Sequence, residues 1–470
     1  MKKEQKVLLI NAEETRSVFD FKGIIDDEPL ELEVIYTALK QKDIKVEIFD
    51  LLRPNNKTLE ETIKKYKPTI TYVNGVVKQV PFMMEYNERI KKISPNTKTI
   101  IGGVYAEHNY KKLYSENLDY VCRSYDPTII VKLVEYEGGK KIALSKLNGL
   151  CYKDSKGNWQ ENDITPFDIN NLPLTDRTYF YDHIDEFRYL ELTKIAQIRT
   201  SYSCPYNCKF CYRTSLNCGK YIPKDIEKVV DEIESLDTEN IYIVDDDFMF
   251  NKARLKRFIE LIKARGIKKK YVAYGRVDFI INNKEIIKEL KEIGFYYLLV
   301  GLESISDNYL NSYNKRIGAK QNEECIEFLN SINLNCMGML IVDLEFTKKD
   351  FKALYKWIKN TGLKHVALSI FTPLPGSELY KDYEDKLITN DLTKFDYIHL
   401  VVKPTNISEK MYYLHYYILV FKLFNLAKKY GIYDFMDWNK LKRDFFTLLT
   451  NKKWKTYMWF YQDQKQLLLQ

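Results

Sequence analysis

Short runs of apolar and β-branched residues alternate with helical patterns through the first 136 residues. Strands are predicted at 7–11, 45–49, 69–74, 97–101 and 119–122, and helices at 30–41, 58–66, 82–93 and 127–136. This alternation indicates a parallel sheet covered by helices on both faces, a doubly wound domain. Ligands of such sheets bind beyond the carboxyl ends of the strands. The candidate ligand loops are therefore residues 11–30, Asn74-Gly75-Val76-Val77 and Gly102-Gly103-Val104-Tyr105.

A second alternating series follows a turn-rich stretch. Residues 137–190 contain EGGKK, KDSKGN and NNLPLTDR, which predict a connector with a small hairpin. Six strands joined by helices then predict a partial (β/α)6 barrel, whose chemistry belongs at the carboxyl ends of its strands. The strands are predicted at 195–201, 241–244, 271–275, 296–301, 336–342 and 365–371, and the helices at 223–235, 251–264, 283–293, 320–331 and 347–360.

A chain of 470 residues exceeds what one hydrophobic core organises, and four regions are expected. They are a Rossmann-like α/β domain at 1–140, a connector at 141–190, the partial barrel at 191–390 and an aromatic-rich helical region at 391–470. The aromatics of the last region have the spacing of a packing face, and we hypothesise that they cap the barrel mouth. They are Tyr412, Tyr413, Tyr416, Tyr417, Phe421 and Phe424.

Composition excludes several classes of protein. The net charge of +8 comes from lysines spread along the chain, which argues against a nucleic-acid-binding arm. No signal peptide precedes the first strand, and the apolar stretch 411–427 is short and interrupted by His415 and Lys422, so no membrane span is expected. Most of the eight cysteines are scattered, as is typical of a reducing cytoplasm. We expect a cytoplasmic protein.

Three cysteines, Cys204, Cys208 and Cys211, stand in CPYNCKFCYR at the end of the first barrel strand. Cysteine thiolates hold iron–sulfur clusters, and three of them leave one iron with an open coordination position. The alternative is a structural zinc site, which takes four ligands. Cys218 could supply the fourth, since no histidine lies between residues 184 and 364.

The cysteine loop resembles the CxxxCxxC signature of radical S-adenosylmethionine (SAM) enzymes, including the aromatic Phe210 before the third cysteine. The stretches IYIVDDDFMFNKARL, YVAYGRVD, YLLVGLES and FTPLPGSELY are similar to the subgroup with an N-terminal cobalamin-binding domain. KTIIGGVYAEH (98–108) resembles that domain itself. The resemblance implies three cofactors: a [4Fe-4S] cluster, SAM and cobalamin.

The resemblance also implies roles for particular residues, although it assigns no catalytic residue. Glu303 and Ser304 would contact the ribose of SAM, Arg276 its carboxylate, and Asp245 or Asp246 its amino group. Phe210 and Tyr212, on either side of Cys211, would also contact the cofactor. Those expected to contact cobalamin are Asn74, Gly75, Val76, Gly102, Gly103, Val104 and Tyr105.

This sequence departs from the subgroup at three places. Asp343 stands where relatives tend to have glycine, and RSYDPT (123–128) stands where relatives often show a Gly-Glu-Gly-Glu-like stretch. The DxHxxG motif that supplies a histidine to cobalt elsewhere is absent from the N-terminal half. His108 is expected to be a surface or packing residue, and a bound cobalamin would lack a histidine ligand.

By this resemblance, the function is methyl transfer to an unactivated carbon. A 5′-deoxyadenosyl radical would remove a hydrogen from the substrate, methylcobalamin would supply the methyl group, and a second SAM would remethylate the cobalt. The expected partners are a small-molecule or peptide substrate and an electron donor such as flavodoxin or ferredoxin.

Three alternatives stay open. The subgroup also contains cyclases and rearrangement enzymes. Transfer-RNA methylthiotransferases share the cysteine loop, but they carry a second cysteine trio, and here only Cys122 and Cys151 precede Cys204. The third alternative is a non-catalytic cobalamin or metal sensor, which would give no reason for the open cysteine site.

Overall fold

The computed structural model describes residues 4–13, 23–53 and 57–436. Part of the predicted loop 11–30 and the end of the aromatic region, from residue 437, therefore lie outside the described residues. Up to residue 193 the strands are β1 (Lys6–Asn11), β2 (Ile25–Asp26), β3 (Lys45–Asp50), β4 (Ile70–Asn74), β5 (Lys98–Gly102), β6 (Tyr120–Cys122), β7 (Leu150–Lys153), β8 (Trp159–Glu161), β9 (Arg188–Tyr189) and β10 (Leu192–Thr193). The helices of this half are α1 (Leu30–Lys40), α2 (Leu59–Tyr66), α3 (Val80–Ile93), α4 (Val104–Asn109), α5 (Thr128–Glu137) and α6 (Thr178–Asp182).

The first sheet has seven strands in the order β3-β1-β4-β5-β6-β7-β8. The five strands from β3 to β6 are parallel, and the hairpin β7–β8 is antiparallel. The predicted α/β fold is confirmed, and the hairpin of the turn-rich stretch extends this first sheet. Strands β1 and β4 are buried because helices cover both faces, which explains their continuous apolar runs.

The second half is built on a six-stranded parallel sheet in the order β11-β14-β15-β16-β17-β18. Its strands follow one another in sequence and are joined by helices, as a partial barrel requires. A small antiparallel pair, β12 with β13, follows the first strand. The strands are β11 (Ile195–Ile198), β12 (Ser201–Tyr202), β13 (Ile222–Pro223), β14 (Asn240–Ile243), β15 (Lys270–Gly275), β16 (Phe295–Glu303), β17 (Asn335–Val342) and β18 (His365–Ile370).

The helices of the barrel begin with recognisable caps. The side chains of Asp225, Asn251 and Thr347 each accept a backbone N–H in the first turn of the helix that they precede. The helices are α7 (Ile226–Ser235), α8 (Lys252–Ala264), α9 (Val277–Asn282), α10 (Lys284–Glu292), α11 (Asp307–Ser312), α12 (Ala319–Ser331), α13 (Lys348–Thr361), α14 (Tyr380–Tyr383) and α15 (Glu409–Lys429).

Helix α15 lies against the last two strands of the barrel. The hydroxyl of Tyr412 donates to the backbone oxygens of Val342 and Asp343, at 2.9 and 3.1 Å, where β17 ends. One turn later, the hydroxyl of Tyr416 donates to the oxygen of Leu368. Tyr412 and Tyr416 are buried, whereas Tyr417 and Phe421 are exposed, so only one side of the predicted aromatic face is packed.

Candidate functional site

The cysteine loop begins where Asp245 holds the chain between β11 and β12. The Asp245 carboxylate accepts hydrogen bonds from the backbone N–H groups of Thr200 and Ser201 and from both of their hydroxyls, at 2.5–3.1 Å. Asp245 is 1% exposed. With four donors already in place, this carboxylate fixes the start of the loop. A contact between Asp245 and the amino group of SAM stays a prediction.

The three loop cysteines are free thiols at the carboxyl end of the barrel. Burial raises the pKa of Cys204 to about 12 and that of Cys211 to about 11. In their present surroundings both are therefore neutral at pH 7, and they become thiolates only when a cation binds them.

Asp246 ties the end of the cysteine loop to β14. Its carboxylate accepts a hydrogen bond from Arg213 Nη1, and the Asp246 side chain is 2% exposed. The two aromatic residues beside Cys211 pack inside the protein: the ring of Phe210 meets that of Tyr313 edge-on at 5.3 Å, and Tyr212 is buried. Asp246, Phe210 and Tyr212 thus orient the loop in the described structure.

Arg276 follows β15 and lies against the cysteine loop. Its guanidinium stacks 3.7 Å from the ring centre of Tyr206, and Nη1 donates to Cys208 Sγ at 3.5 Å. Nη2 donates to the oxygen of Lys315 at 2.9 Å, and Asp278 pairs with Nε at 3.0 Å. These contacts hold the positive charge of Arg276 beside the thiol of Cys208, and its contact with the carboxylate of SAM stays a prediction.

Glu303, at the end of β16, forms a buried ion pair with Lys315 at 2.7 Å. The pair fits because Gly301 has no side chain: a Cβ there would lie 2.4 Å from Glu303 Oε1 and 2.6 Å from Lys315 Nζ. Glu303 itself has a φ of 59°, which is uncommon for a residue with a side chain. The neighbouring Ser304 Oγ accepts from the N–H of Ser306 at 3.1 Å.

Asp343 accepts a hydrogen bond from the Tyr313 hydroxyl at 2.5 Å. The ring of Tyr313 also contacts Phe210 of the cysteine loop and stacks on Phe371 at 6.1 Å. Burial raises the pKa of Asp343, although the Tyr313 hydroxyl partly offsets that effect. The unusual aspartate is therefore linked to the cysteine loop through one tyrosine.

The sequence interpretation missed Asp247. This carboxylate is 2% exposed, and its Oδ1 accepts from the N–H of Met249 at 3.0 Å. Its Oδ2 has no hydrogen-bond partner among the described residues. Burial raises the pKa of Asp247 to about 7, against the opposing effects of the Met249 N–H and of Arg276. The signal was present in the three consecutive aspartates after β14, but only tertiary packing separates their roles.

In the N-terminal sheet, the two glycine loops after β4 and β5 touch each other. Gly103 has a φ of 91°, and a Cβ there would lie 2.9 Å from both the N and the O of Gly75. A Cβ on Gly102 would lie 2.1 Å from the Tyr72 hydroxyl. The absence of side chains at the paired glycines thus allows the two loops to contact each other. From the sequence, these glycines were expected only to let the backbone approach a ligand.

Exposure divides the seven predicted N-terminal contact residues. Gly102 and Tyr105 are buried and pack inside the domain. Five remain partly exposed at the carboxyl ends of the strands, where a ligand can reach them: Asn74, Gly75, Val76, Gly103 and Val104. Gln79 braces this edge, because its Oε1 accepts from the N–H of Val76 and its Nε2 donates to the oxygen of Ala12, both at 2.8 Å.

Helix α4 joins the carboxyl edge of the first sheet to the segment that follows the cysteine loop. The buried Glu107 accepts from the backbone N–H groups of Asn217 and Cys218, at 3.2 and 2.9 Å. The exposed His108 has Nε2 3.1 Å from Ser215 Oγ. His108 is therefore a contact residue between the two halves, and Cys218 is held by its backbone with its side chain exposed.

A second contact between the halves is a buried charge cluster around Arg177, from the stretch NNLPLTDR. Arg177 pairs with Glu28 at 2.9 Å, Glu33 at 3.2 Å and Glu232 at 2.9 Å, and Lys224 pairs with Glu232 at 2.7 Å. Three carboxylates thus face two cations. Burial raises the pKa of Glu33 to about 7, so this acid carries a proton near neutrality.

Comparisons with known proteins match both halves of the chain. The family model of the radical SAM superfamily matches residues 198–358, and that of the B12 binding domain matches residues 26–134. The chain belongs to the cobalamin-dependent radical SAM enzymes. The predicted fold class, with its N-terminal Rossmann-like domain, is confirmed, and the cofactors are a [4Fe-4S] cluster, SAM and cobalamin.

Two curated relatives illustrate the range of the family. The enzyme is 25% identical over 393 residues to hopanoid C-3 methylase of Methylococcus capsulatus, covering 82% of this chain and 74% of the relative. It is 23% identical over 367 residues to anaerobic magnesium-protoporphyrin IX monomethyl ester cyclase of Cereibacter sphaeroides, covering 74% of this chain and 59% of the relative.

A solved structure supports the fold of nearly the whole chain. The enzyme superposes on OxsB, a cobalamin-dependent SAM radical enzyme with aqua-cobalamin and SAM bound, with a TM-score of 0.69 and 16% identity. The alignment covers 99% of this chain and 74% of OxsB. At this identity the likeness concerns the fold alone.

The residues present fit the cluster. Among residues 4–13, 23–53 and 57–436, no three His, Cys, Asp or Glu side chains converge on a single metal ion. A cluster needs a wider arrangement, because each cysteine binds a different iron. Three free thiols, with the Arg276 guanidinium donating to one of them, supply the required donors and a compensating charge.

Cobalamin fits the N-terminal edge in a different way. The partly exposed residues there offer backbone atoms and small side chains, and His108 is engaged with Ser215. This donor set suits a cofactor held by shape and backbone contacts. In the part of the chain that the structure describes, no helix is both long and apolar enough to cross a membrane. Radical SAM enzymes need a reductant and act on small substrates.

Proposed function

We propose that this enzyme transfers a methyl group to an unactivated carbon of a small-molecule or peptide substrate. One observation supports this most: helix α4, at the carboxyl edge of the first sheet, hydrogen-bonds through Glu107 to the segment directly after the cysteine loop. Chemistry that combines a radical with a cobalt-bound methyl group needs the two cofactor edges side by side. The relative named a methylase also covers both halves of the chain.

The proposed division of labour follows the two sheets. Residues 1–140 hold cobalamin through Asn74, Gly75, Val76, Gly103 and Val104, residues 141–190 connect, and residues 191–390 hold the cluster through Cys204, Cys208 and Cys211. Residues 391–470 form the C-terminal region, and the contacts of Tyr412 with the end of β17 support the hypothesis that its aromatic helix caps the barrel mouth.

When bound, the cluster and SAM supply a radical that removes hydrogen from the substrate, and methylcobalamin supplies the methyl group. The chain's own residues prepare the site. Arg276 keeps a positive charge on Cys208, and Asp245 and Asp246 fix the two ends of the cysteine loop.

SAM contacts are proposed for the residues that the fixed network leaves available. Glu303 keeps one carboxylate oxygen beyond its pair with Lys315 for the ribose, and Ser304 lies beside it at the end of β16. Asp247 has a free carboxylate oxygen, and we add it to the site. Phe210 and Tyr212 act through the packing of the loop.

The proposed partners are a protein electron donor and the substrate, with no nucleic acid. We further propose that the enzyme works in the reducing cytoplasm, where cysteine thiols persist.

Cyclisation is the second candidate, because a relative with 23% identity is named as a cyclase and aligns with 74% of this chain. The two reactions differ in the fate of the methyl group of SAM. A methyltransferase places that methyl on the product, whereas a cyclase forms a bond within the substrate and adds no carbon.

The test uses the full chain, reconstituted anaerobically with iron, sulfide and methylcobalamin, and given SAM with a ¹³C-labelled methyl group, dithionite and a small-molecule extract. Mass spectrometry should find 5′-deoxyadenosine and a labelled product, both absent from a variant with all three loop cysteines changed to alanine. An unlabelled product that has lost two hydrogens would support cyclisation instead. If no 5′-deoxyadenosine forms, the proposed function is wrong.

A further inference from the structure

The outer side of the cysteine loop is open to solvent and carries an exposed aromatic ring. Asn207, between the first two cysteines, is exposed, and Phe250, in the loop between β14 and α8, is 42% exposed. The Phe250 ring lies 5.8 Å from that of Tyr206 and 5.4 Å from that of Tyr221, both edge-on. A single exposed apolar ring is common on protein surfaces, so Phe250 is informative only together with the charges near it.

Four cations are close in sequence to residues that contact this ring or the cysteine loop. Lys220 precedes Tyr221, Lys252 and Lys256 lie one turn apart on α8, and Arg316 follows Asn314, whose amide donates to the oxygen of Asn207 at 3.0 Å. All four are exposed, and none forms a salt bridge with a described residue. We name the surface formed by Lys220, Phe250, Lys252, Lys256 and Arg316 the basic patch.

Among the acids near the basic patch, Asp225 is exposed and has no salt bridge with a described residue, and three others are neutralised or buried. Asp278 pairs with Arg276, Asp246 pairs with Arg213, and Asp247 is 2% exposed. The net field of this face is therefore positive. A positive face steers negatively charged partners toward it and raises the rate of their encounter.

The basic patch is connected to a cysteine through direct contacts. Phe250 meets Tyr206, Tyr206 lies under the Arg276 guanidinium at 3.7 Å, and Arg276 Nη1 lies 3.5 Å from Cys208 Sγ. A partner bound at Phe250 is thus connected to a cluster ligand through three side chains in contact: Phe250, Tyr206 and Arg276.

We propose that the basic patch is the docking surface for a small acidic one-electron carrier protein. In the step that it serves, the reduced carrier loses one electron and the oxidised cluster gains it, so no proton or leaving group is needed. This inference rests on the proposed function, because only a redox enzyme has use for the electron. It goes beyond that function by assigning the face on which the donor binds.

The experiment compares two reductants on the same reconstituted full chain: dithionite, which needs no docking surface, and a reduced acidic flavodoxin. The test variant carries Lys220→Glu and Lys252→Glu. The matched control is Lys268→Glu. This exposed lysine has no salt bridge with a described residue and lies just before the amino-terminal end of β15, at the opposite end of the barrel. Circular dichroism and iron content verify folding and loading.

For the double variant at low salt, we expect the second-order rate of flavodoxin-driven SAM cleavage to fall about tenfold. Dithionite-driven cleavage should stay within about twofold of the unsubstituted enzyme, and Lys268→Glu should change neither rate. Equal losses with both reductants, or an equal loss in the control, would overturn the proposal.

A second readout does not depend on SAM cleavage. Carbodiimide cross-linking joins lysine amines to carboxylates of the bound flavodoxin, and peptide mass spectrometry locates the links. Links at Lys220, Lys252 or Lys256 support the proposal, and links concentrated elsewhere or between two copies of this chain overturn it. If dithionite also fails to drive SAM cleavage in the unsubstituted enzyme, the proposed function fails, and the cross-link map still decides the docking surface.

Discussion

The carboxyl edges of the two parallel sheets present different types of residue. The N-terminal edge presents glycines and small or uncharged residues, and its buried acid, Glu107, contacts the other half of the chain. The barrel edge presents charges in fixed pairs, such as Arg213 with Asp246 and Lys315 with Glu303. The first edge is suited to a bulky cofactor held by shape, and the second to a charged cosubstrate and a metal cluster.

The difference also concerns how each edge tolerates change. A glycine loop fails when a side chain is added, because there is no space for a Cβ. A network of buried charges fails when one partner is removed, because the remaining charge is left unpaired. Substitutions at each edge test these two modes of failure separately.

The largest effect is expected at the barrel edge from Cys208→Ser. Loss of one of three cluster ligands should remove most of the iron and reduce SAM cleavage more than about 100-fold, since only two thiolates would then hold the cluster. Iron and sulfide analysis and the yield of 5′-deoxyadenosine measure this. Cobalamin binding should be retained, because the N-terminal edge is unchanged.

Cys218→Ser is the matched control, since this exposed cysteine lies ten residues beyond Cys208 and is held through its backbone N–H. It should keep its iron. If Cys218→Ser loses iron as Cys208→Ser does, Cys218 is a fourth ligand and the open position does not exist.

The next largest effect is expected where the halves join. Arg177→Met should reduce the free energy of unfolding by about 3–5 kcal/mol, because Glu28, Glu33 and Glu232 lose their common cation inside the protein. Urea denaturation measures it.

The control is Arg257→Met, which removes an exposed ion pair with Glu227. It should reduce the free energy of unfolding by only a small fraction of the loss expected for Arg177→Met. An equally small effect at Arg177 would mean that the buried cluster does not hold the halves together.

At the N-terminal edge, Gly103→Ala should weaken cobalamin binding about tenfold and leave the iron content unchanged. The added Cβ would lie 2.9 Å from the Gly75 backbone, at a φ of 91°, so the two loops must move apart. Titration followed by absorbance measures the affinity.

Gly139→Ala is the control, because Gly139 has a similar φ of 95° but no atom within 4 Å of the added Cβ. Gly139→Ala therefore introduces the backbone strain of a positive φ without a close contact of the added Cβ. If both variants bind cobalamin equally well, the contact of the glycine loops does not shape the site.

The smallest effect concerns pH. Burial raises the pKa of Glu33 to about 7, whereas in the unfolded chain its pKa is near 4.5. Between these values the folded state holds more protons, so the free energy of unfolding falls as pH rises through this window. Between pH 5 and pH 8, Glu33→Gln should therefore lose less stability than the unsubstituted protein, by at least about 1 kcal/mol.

Urea denaturation at both pH values tests this prediction, with Glu327→Gln as an exposed control. A variant with the same pH dependence as the unsubstituted protein would show that Glu33 is charged in the folded state.

The two alternating series of strands and helices, the cysteine loop and the family could all be predicted from the amino-acid sequence. These features are local: a run such as VLLIN predicts a buried strand from its own residues, and CxxxCxxC fixes three ligands within eight positions. Only the tertiary structure decided which of three adjacent aspartates braces the loop, which pairs with Arg213 and which keeps a carboxylate oxygen unpaired. The tertiary structure also brings Arg276 into contact with Cys208 and places Arg177 between the two halves of the chain. Such roles depend on partners tens to hundreds of residues away, and a pattern of neighbouring residues does not contain them.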